Sequence, residues 1–80
     1  MESKIAVVAI IVSDVNAVER INAVLHSYGE HIIGRLGLPY KQKNVNVISV
    51  VLDAPIEIIN SLSGKLGMID GVSSKVLTTK

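Results

Sequence analysis

Two stretches of the sequence are apolar at both odd and even positions, and they constrain the fold more than any other feature. Residues 5–12 read IAVVAIIV, and residues 45–52 read VNVISVVL with Asn46 and Ser49 as the polar interruptions. Both are rich in β-branched residues, which favour strands, and both are far shorter than the roughly 20 residues of a membrane-spanning helix. A strand with one face in water alternates apolar and polar residues. We therefore predict two central strands, β1 and β3, covered on both faces in a soluble protein that has no membrane partner.

Between these runs the pattern changes to helical spacing and then to a second, weaker strand. Asp14 is a residue type that caps helices, and a helix α1 is predicted over residues 15–27. Its buried stripe recurs at intervals of three and four, at Val15, Val18, Ile21 and Leu25. Residues 31–40, HIIGRLGLPY, contain two glycines and Pro39, which predict a bent strand β2 at an edge of the sheet.

The last third of the chain predicts one more helix and one more strand. Pro55 suits the first position of a helix α2, whose stripe is Ile58, Ile59, Leu62 and Leu66. We expect Gly67 to end this helix in a left-handed conformation, and Asp70 and Gly71 to form the turn into β4, residues 72–79. Ser63, Gly64 and Lys65 do not form a phosphate-binding loop, because they lie at the far end of α2 rather than between a strand and a helix.

The sum of these elements is a βαββαβ order, which predicts an α+β protein with the ferredoxin-like fold. In that fold a four-stranded antiparallel sheet carries two helices on one face. A chain of 80 residues allows one domain, so we assign residues 1–80 to a single domain.

Composition excludes several classes of function. The sequence has no cysteine, which removes disulfides, thiolate nucleophiles and ordinary iron–sulfur ligation, and which fits a cytoplasmic protein. Its formal charge of +1 comes from scattered Lys and Arg, so we expect no direct binding of nucleic acid. We expect no cofactor.

Two blocks near the ends of β2 and α2 carry a resemblance to a known family. The first block is GRLGLPY at residues 34–40, followed by a polar turn and a Val/Ile strand, and the second is LSGKLGMIDGV at residues 62–72, followed by Lys75. This succession resembles the iron-only hydrogenase system regulator family. That family is similar to ACT domains and to the C-terminal regulatory domain of the nickel-responsive repressor. The resemblance covers nearly the whole chain and implies a single ACT-like regulatory domain linked to transcription, responsive to a small-molecule effector, with no catalysis.

Six residues are candidates for ligand binding or for an interface. Arg35 and Gly37 belong to the family pattern R-x-G-x-P, and Arg35 is either an anion-binding group or a solvated edge-strand cation. Gly64 and Lys65 lie on α2, where Lys65 is either functional or a solvated cation near a helix end, and Gly64 suggests close contact with another subunit or with β4. Asp14 and Asn16 occupy the turn between β1 and α1, where amino-acid-binding ACT domains carry a D-x-P-G turn that this chain lacks.

Metal binding and catalysis are the alternatives. His26 and His31, with Glu30, could form a metal site between subunits, although an exposed position for His26 and a place at the start of β2 for His31 explain them more simply. The nickel repressor binds metal through clustered histidines and a cysteine, a set that one copy of this chain lacks, so we expect no metal site. A small enzyme would use Arg35 with Asp14 or Glu30, but the sequence offers no nucleophile beside a base, so we expect no catalytic residue.

Self-association is the last expectation. Two helices cover one face of the sheet, yet β1 and β3 are apolar on both faces, so branched aliphatic side chains remain on the uncovered face. We therefore predict a homo-oligomer, a dimer or a tetramer. Pairing through the β2 or β4 edge, packing of sheet against sheet, or both together would satisfy this argument.

Overall fold

The computed structural model describes residues 2–79 and has the predicted order of strands and helices. The elements are β1 (Lys4–Val12), α1 (Val18–Ser27), β2 (Ile32–Tyr40), β3 (Val45–Ala54), α2 (Ile56–Gly67) and β4 (Val72–Thr78). Short 3-10 turns precede α1, β2 and β3, at Val15–Ala17, Gly29–His31 and Lys41–Lys43. The α+β class and the ferredoxin-like βαββαβ arrangement are confirmed. Neither helix in this part of the chain is long and apolar enough to cross a membrane.

The four strands form one antiparallel sheet in the order β2-β3-β1-β4. The two strands that are apolar at both parities, β1 and β3, are the central pair, aligned from Lys4 opposite Ala54 to Val12 opposite Asn46. The prediction that β2 is a bent edge strand is confirmed, because β2 pairs only with β3 and its register shifts between Ile32 and Gly34.

One hydrophobic layer between the sheet and the helices forms the core. The even-numbered residues of β1 and β3 point into it and meet the apolar stripes of both helices. Its largest fully buried side chains are Ile10, Ile21, Leu25, Leu52, Ile59, Leu62, Leu66, Val8, Val12 and Val50. Each contributes about 1.5–3 kcal/mol relative to exposure, so both helices are held on the same face of the sheet.

The start of α1 differs from the prediction. Asp14 is a capping residue, as predicted, because its Oδ1 accepts a hydrogen bond of 3.0 Å from the backbone N–H of Asn16. The turn that it caps is the 3-10 turn Val15–Ala17, and α1 itself begins at Val18. Val15 is 71% exposed and does not belong to the buried stripe. An Asp side chain reaching two residues ahead favours a tight turn before the regular helix.

The two ends of α2 also differ from the prediction. Pro55 has an extended backbone and precedes the first helical residue, Ile56. The prediction of a left-handed Gly67 is wrong, because Gly71 is the glycine with positive φ in the described chain. The helix instead ends with the N–H of Met68 donating to the carbonyl of Lys65 at 3.3 Å. The chain therefore reverses later than expected, in the turn before β4.

Candidate functional site

The face of the sheet opposite the helices is apolar and is not covered by any other part of residues 2–79. The strand register places its side chains in three rows, which we call the open face. The rows are Leu38–Val47–Ile11–Ser73, Leu36–Ser49–Ala9–Lys75 and Gly34–Val51–Val7–Leu77. Leu36 is 68% exposed and Leu77 is 74% exposed, and Lys75 is the charged residue of the three rows. Contiguous exposed apolar surface of this kind is typical of an interaction site.

The β2 strand extends this surface to an unpaired edge. Its nine residues pair with β3 on one side only, so the backbone N–H and C=O groups of the other side face away from the sheet. Every residue of the strand from Ile33 to Tyr40 is exposed. An edge strand of this length is a template for pairing with another strand.

Arg35 lies on the helix side of β2, beside a groove between α1 and β2. It stands opposite the buried Val50, and its Nη2 donates a hydrogen bond of 3.0 Å to Oδ1 of Asn22 on α1. Gly37, two residues along β2, faces the same side, and a Cβ built there would meet nothing within 4 Å. The groove has a volume of about 400 Å³ and is lined by Asn22, Leu25, His26, Gly29, Ile32 and Arg35. We call it the Arg35 groove.

Asn22 is the residue of this groove that sequence reasoning missed. It lies on α1 outside the apolar stripe, and the chain separates it from Arg35 by 13 positions. Polar residues at such positions are common on amphipathic helices, so the sequence carries no signal that singles Asn22 out.

Asp14 and Asn16 lie in a different place, at the turn between β1 and α1. The backbone N–H of Ser13 donates to the carbonyl of Gly71 at 2.8 Å, and this bond ties that turn to the one before β4. A cavity of about 230 Å³ there is lined by Asp14, Asn16, Ala17, Arg20, Ile69 and Asp70. The predicted candidates therefore do not form one site, because neither Asp14 nor Asn16 lines the Arg35 groove.

Lys65 lies near a tyrosine–serine hydrogen bond that links the end of α1 to α2. Tyr28, just after α1, shares a hydrogen bond of 2.6 Å with Ser61 of α2, and the Lys65 Nζ lies 5.1 Å from the centroid of the Tyr28 ring. The hydrogen bond with Ser61 is the main cause that lowers the pKa of Tyr28 below its usual 10.0, and Lys65 lowers it further, while burial acts in the opposite direction. Neither Tyr28 nor Ser61 was a sequence candidate, although Tyr28 is one of only two tyrosines.

Gly64 lies on the exposed side of α2, and no part of residues 2–79 explains it. A Cβ built at this position would meet nothing within 4 Å, so the expected close contact with β4 is wrong. Contact with another subunit stays a prediction.

The two histidines have different surroundings. His26 is exposed and lines the Arg35 groove, whereas His31 Nε2 lies 3.5 Å from Oε1 of Glu30, an ion pair when the imidazole is protonated. His31 belongs to the 3-10 turn before β2 rather than to the strand. Residues 2–79 contain no cluster of three or more His, Asp or Glu side chains that could hold a metal ion. A site shared between subunits stays untested.

Comparison with known families identifies one match. The model of the TM1266-like family, described as "Iron-only hydrogenase system regulator, putative", matches residues 4–76. No curated protein matches the chain.

Solved structures include one similar protein at 35% identity and others that share the fold at lower identity. The structure of uncharacterized protein TM1266 from Thermotoga maritima has a TM-score of 0.93 and 35% identity, covering 99% of this chain and 100% of that chain. A formyltetrahydrofolate deformylase from Pseudomonas putida KT2440 has a TM-score of 0.61 at 13% identity, covering 92% of this chain and 28% of that one. A nitrogen regulatory PII-like protein from Thiomonas intermedia K12, bound to ADP, AMP and bicarbonate, has a TM-score of 0.51 at 14% identity, and each chain is covered completely. The last two show the fold alone.

Proposed function

Because the chain belongs to the TM1266-like family of iron-only hydrogenase system regulators, we propose that it is a non-catalytic regulatory module that works by self-assembly. A homodimer or tetramer is the working form. A small-molecule effector adjusts it, and a separate DNA-binding protein carries the signal to transcription. The chain acts in the cytoplasm, a reducing compartment that its lack of cysteine fits.

The open face is the observation that carries this proposal. Ile11, Leu36, Leu38, Val47 and Leu77 are exposed aliphatic side chains of its three rows. Full burial of such a side chain is worth about 1.5–3 kcal/mol, so covering one that is about half exposed contributes roughly 1 kcal/mol. A two-fold dimer covers the set twice, and the total is comparable with the roughly 4–15 kcal/mol that association costs.

A second copy of the chain is the best occupant of this face. Lys75 is the charged residue of the three rows, and Asp53 lies in the next row of the same face, opposite Ile5, so two copies can approach face to face with few charges to keep apart. A two-fold axis brings the same patch of both copies together, which makes an apolar patch complementary to itself. The unpaired edge of β2 offers a second contact, through which dimers can pair into a tetramer.

The test is the mass of the purified chain by light scattering at micromolar concentration. We expect the parent to have the mass of at least two chains, and Leu38→Glu, which places a carboxylate in the first row of the open face, to shift it toward one chain. Met68→Glu is the matched control, because Met68 is 83% exposed but lies at the end of α2, on the helix side. A parent mass of one chain that does not change on concentration would refute assembly.

Regulation by an effector is tested separately. Thermal unfolding against a panel of metabolites, nucleotides and metal ions is expected to give a ligand that raises the midpoint without being consumed. Turnover of a stabilising compound would contradict a non-catalytic role and would favour the small-enzyme alternative.

A further inference from the structure

We propose that the Arg35 groove binds a small organic carboxylate, with the carboxylate on Arg35 and a short apolar tail against Ile32. This inference rests on the proposed function and deepens it, because it assigns a chemical class and a site to the effector. The groove brings a cation held by a hydrogen bond, further donors and an apolar side chain together in one concavity.

Arg35 is already oriented for such a ligand. Its Nη2 is held at 3.0 Å by the neutral Oδ1 of Asn22, so the guanidinium position is fixed without its charge being neutralised. No carboxylate of residues 2–79 forms a salt bridge with it. A guanidinium has five N–H donors in a planar fork, and one bond to Asn22 leaves a pair to meet both oxygens of a carboxylate. Holding the side chain in advance also reduces the entropy lost on binding.

The surroundings add donors and space. The Asn22 amide nitrogen donates to no other side chain in the described part of the chain, and the His26 ring lines the same groove. Gly29 bounds the groove without a side chain, and Gly37 leaves the space beside Arg35 on β2 open, since a Cβ there would have no neighbour within 4 Å. A volume of about 400 Å³ admits a ligand of several heavy atoms.

The apolar floor selects an organic acid over an inorganic anion. Ile32 is half-buried and lines the groove, where Leu25, at 1% exposed, adds almost no accessible surface. A short aliphatic tail covers this floor, which phosphate cannot do.

The C-terminal end of α1 lies beside the groove, and unpaired carbonyls there would oppose an anion. Hydrogen bonds occupy part of this end: the hydroxyl of Ser27 donates to the Val24 carbonyl at 2.7 Å, and the N–H of Tyr28 donates to the Leu25 carbonyl at 3.1 Å. These bonds reduce the repulsion that a carboxylate would meet.

The test is a titration followed by NMR, with amide and arginine side-chain N–H signals as the readout. Sodium butyrate is the probe, and butylammonium chloride and inorganic phosphate at equal ionic strength are the comparisons. We expect butyrate to give saturable shifts at Asn22, His26 and Arg35, and the other two compounds to give none that saturate there. Arg35→Gln is expected to weaken butyrate binding at least about tenfold, because it removes a hydrogen-bonded charge pair. Arg20→Gln, the matched control on the far side of α1, changes it less than about twofold.

A second variant keeps the test independent of any folding defect in Arg35→Gln. Asn22→Asp puts a carboxylate beside an intact Arg35, where it competes with the ligand, so butyrate shifts are expected to vanish while the folded spectrum persists. Saturable binding of butyrate elsewhere, unchanged in both variants, overturns this site and leaves effector regulation standing. Saturation by phosphate but not butyrate overturns the ligand class. A monomeric chain that binds butyrate at Arg35 overturns assembly and leaves the site.

Discussion

Gly71 shows how one residue fixes the junction of two turns. Its φ of 81° lies in the left-handed region, and a Cβ at this position would come within 2.6 Å of the Asp14 Cβ. The same glycine accepts the Ser13 N–H, so the turn after β1 and the turn before β4 depend on it together. Gly64 differs in this respect, because it lies in a helix and a Cβ at its position would meet nothing within 4 Å.

Gly71→Ala is expected to lower the free energy of unfolding by about 1–3 kcal/mol, because alanine is strained at this φ and has no space beside Asp14. Gly64→Ala is the control and is expected to raise it by about 0.4–1 kcal/mol, because alanine favours the helix. Urea unfolding at one fixed protein concentration measures both. A destabilising Gly64→Ala would instead indicate that another subunit approaches this position.

Tyr28 provides a titration at the residue scale. In a Tyr40→Phe background Tyr28 is the remaining tyrosine, and tyrosinate absorbance reports its pKa directly. We expect Ser61→Ala to raise that pKa toward 10.0, because the Ser61 hydrogen bond is the largest cause that lowers it. Ser63→Ala, two positions along the same helix, is the control and leaves the pKa where it was.

The same shift makes stability depend on pH. The folded pKa of Tyr28 lies below the unfolded value of 10.0, so between the two values the unfolded chain binds more protons and this residue adds stability as the pH rises. The stability advantage of the parent over Ser61→Ala is therefore expected to grow as the pH rises through that window. Urea unfolding midpoints of the parent and of Ser61→Ala at several alkaline pH values measure this advantage. A difference that stays constant with pH would count against the Ser61 hydrogen bond as the cause of the lowered Tyr28 pKa.

Strand β1 divides its residues between two surfaces of different kinds. Ile10 is fully buried under the helices, whereas Ile11, the next residue, is 50% exposed on the open face. The two share a residue type and a strand, so they separate the contribution of the core from that of the uncovered face.

Ile10→Val is expected to lower the free energy of unfolding by about 0.5–1.5 kcal/mol, because the helices close over the lost methylene only partly. Ile11→Val is expected to change it by less than about 0.5 kcal/mol in a dilute sample, where the open face is least covered. Chemical unfolding of the two variants side by side gives the comparison. Equal losses would mean that the open face is packed as tightly as the core.

The described part of the chain forms two layers, the four-stranded sheet and the pair of helices. Helices cover one face of the sheet, and the other face, including Leu36 and Leu77, is uncovered within residues 2–79. A two-layer protein of this size buries a limited fraction of its surface, so covering the open face adds stability that a single copy lacks.

The midpoint of thermal unfolding is therefore expected to rise with protein concentration, because folded chains associate with one another and unfolded chains do not. Leu38→Glu is expected to remove most of this dependence, and Met68→Glu to leave it in place. Differential scanning calorimetry across a hundredfold range of concentration tests this. A parent midpoint that stays constant over the range is the contrary result.

The sequence by itself determined the order and type of the elements. Residues 5–12 and 45–52 are apolar at both parities, and this predicted the two central strands, because a strand in contact with water on one face alternates in polarity. The glycines and Pro39 placed β2 at an edge for an equally local reason, the weak fit of such residues to a paired ladder. Boundaries were less accurate: Val15 lies in a 3-10 turn capped by Asp14, and the left-handed glycine is Gly71 rather than Gly67. The residue types at both places are compatible with either a helix or a tight turn, so the local pattern does not choose between them.

The tertiary structure alone decided which side chains meet. Arg35 was a sequence candidate, but its partner Asn22 lies 13 positions away, and Ser61 lies 33 positions from Tyr28. It also decided that the even-numbered residues of β1 face the helices, which left Ile11 on the open face rather than in the core. Both parities of β1 are apolar, so hydrophobicity does not choose between them. The choice follows from how the helices and the turns at Asp14 and Gly71 pack together, which only the folded chain defines.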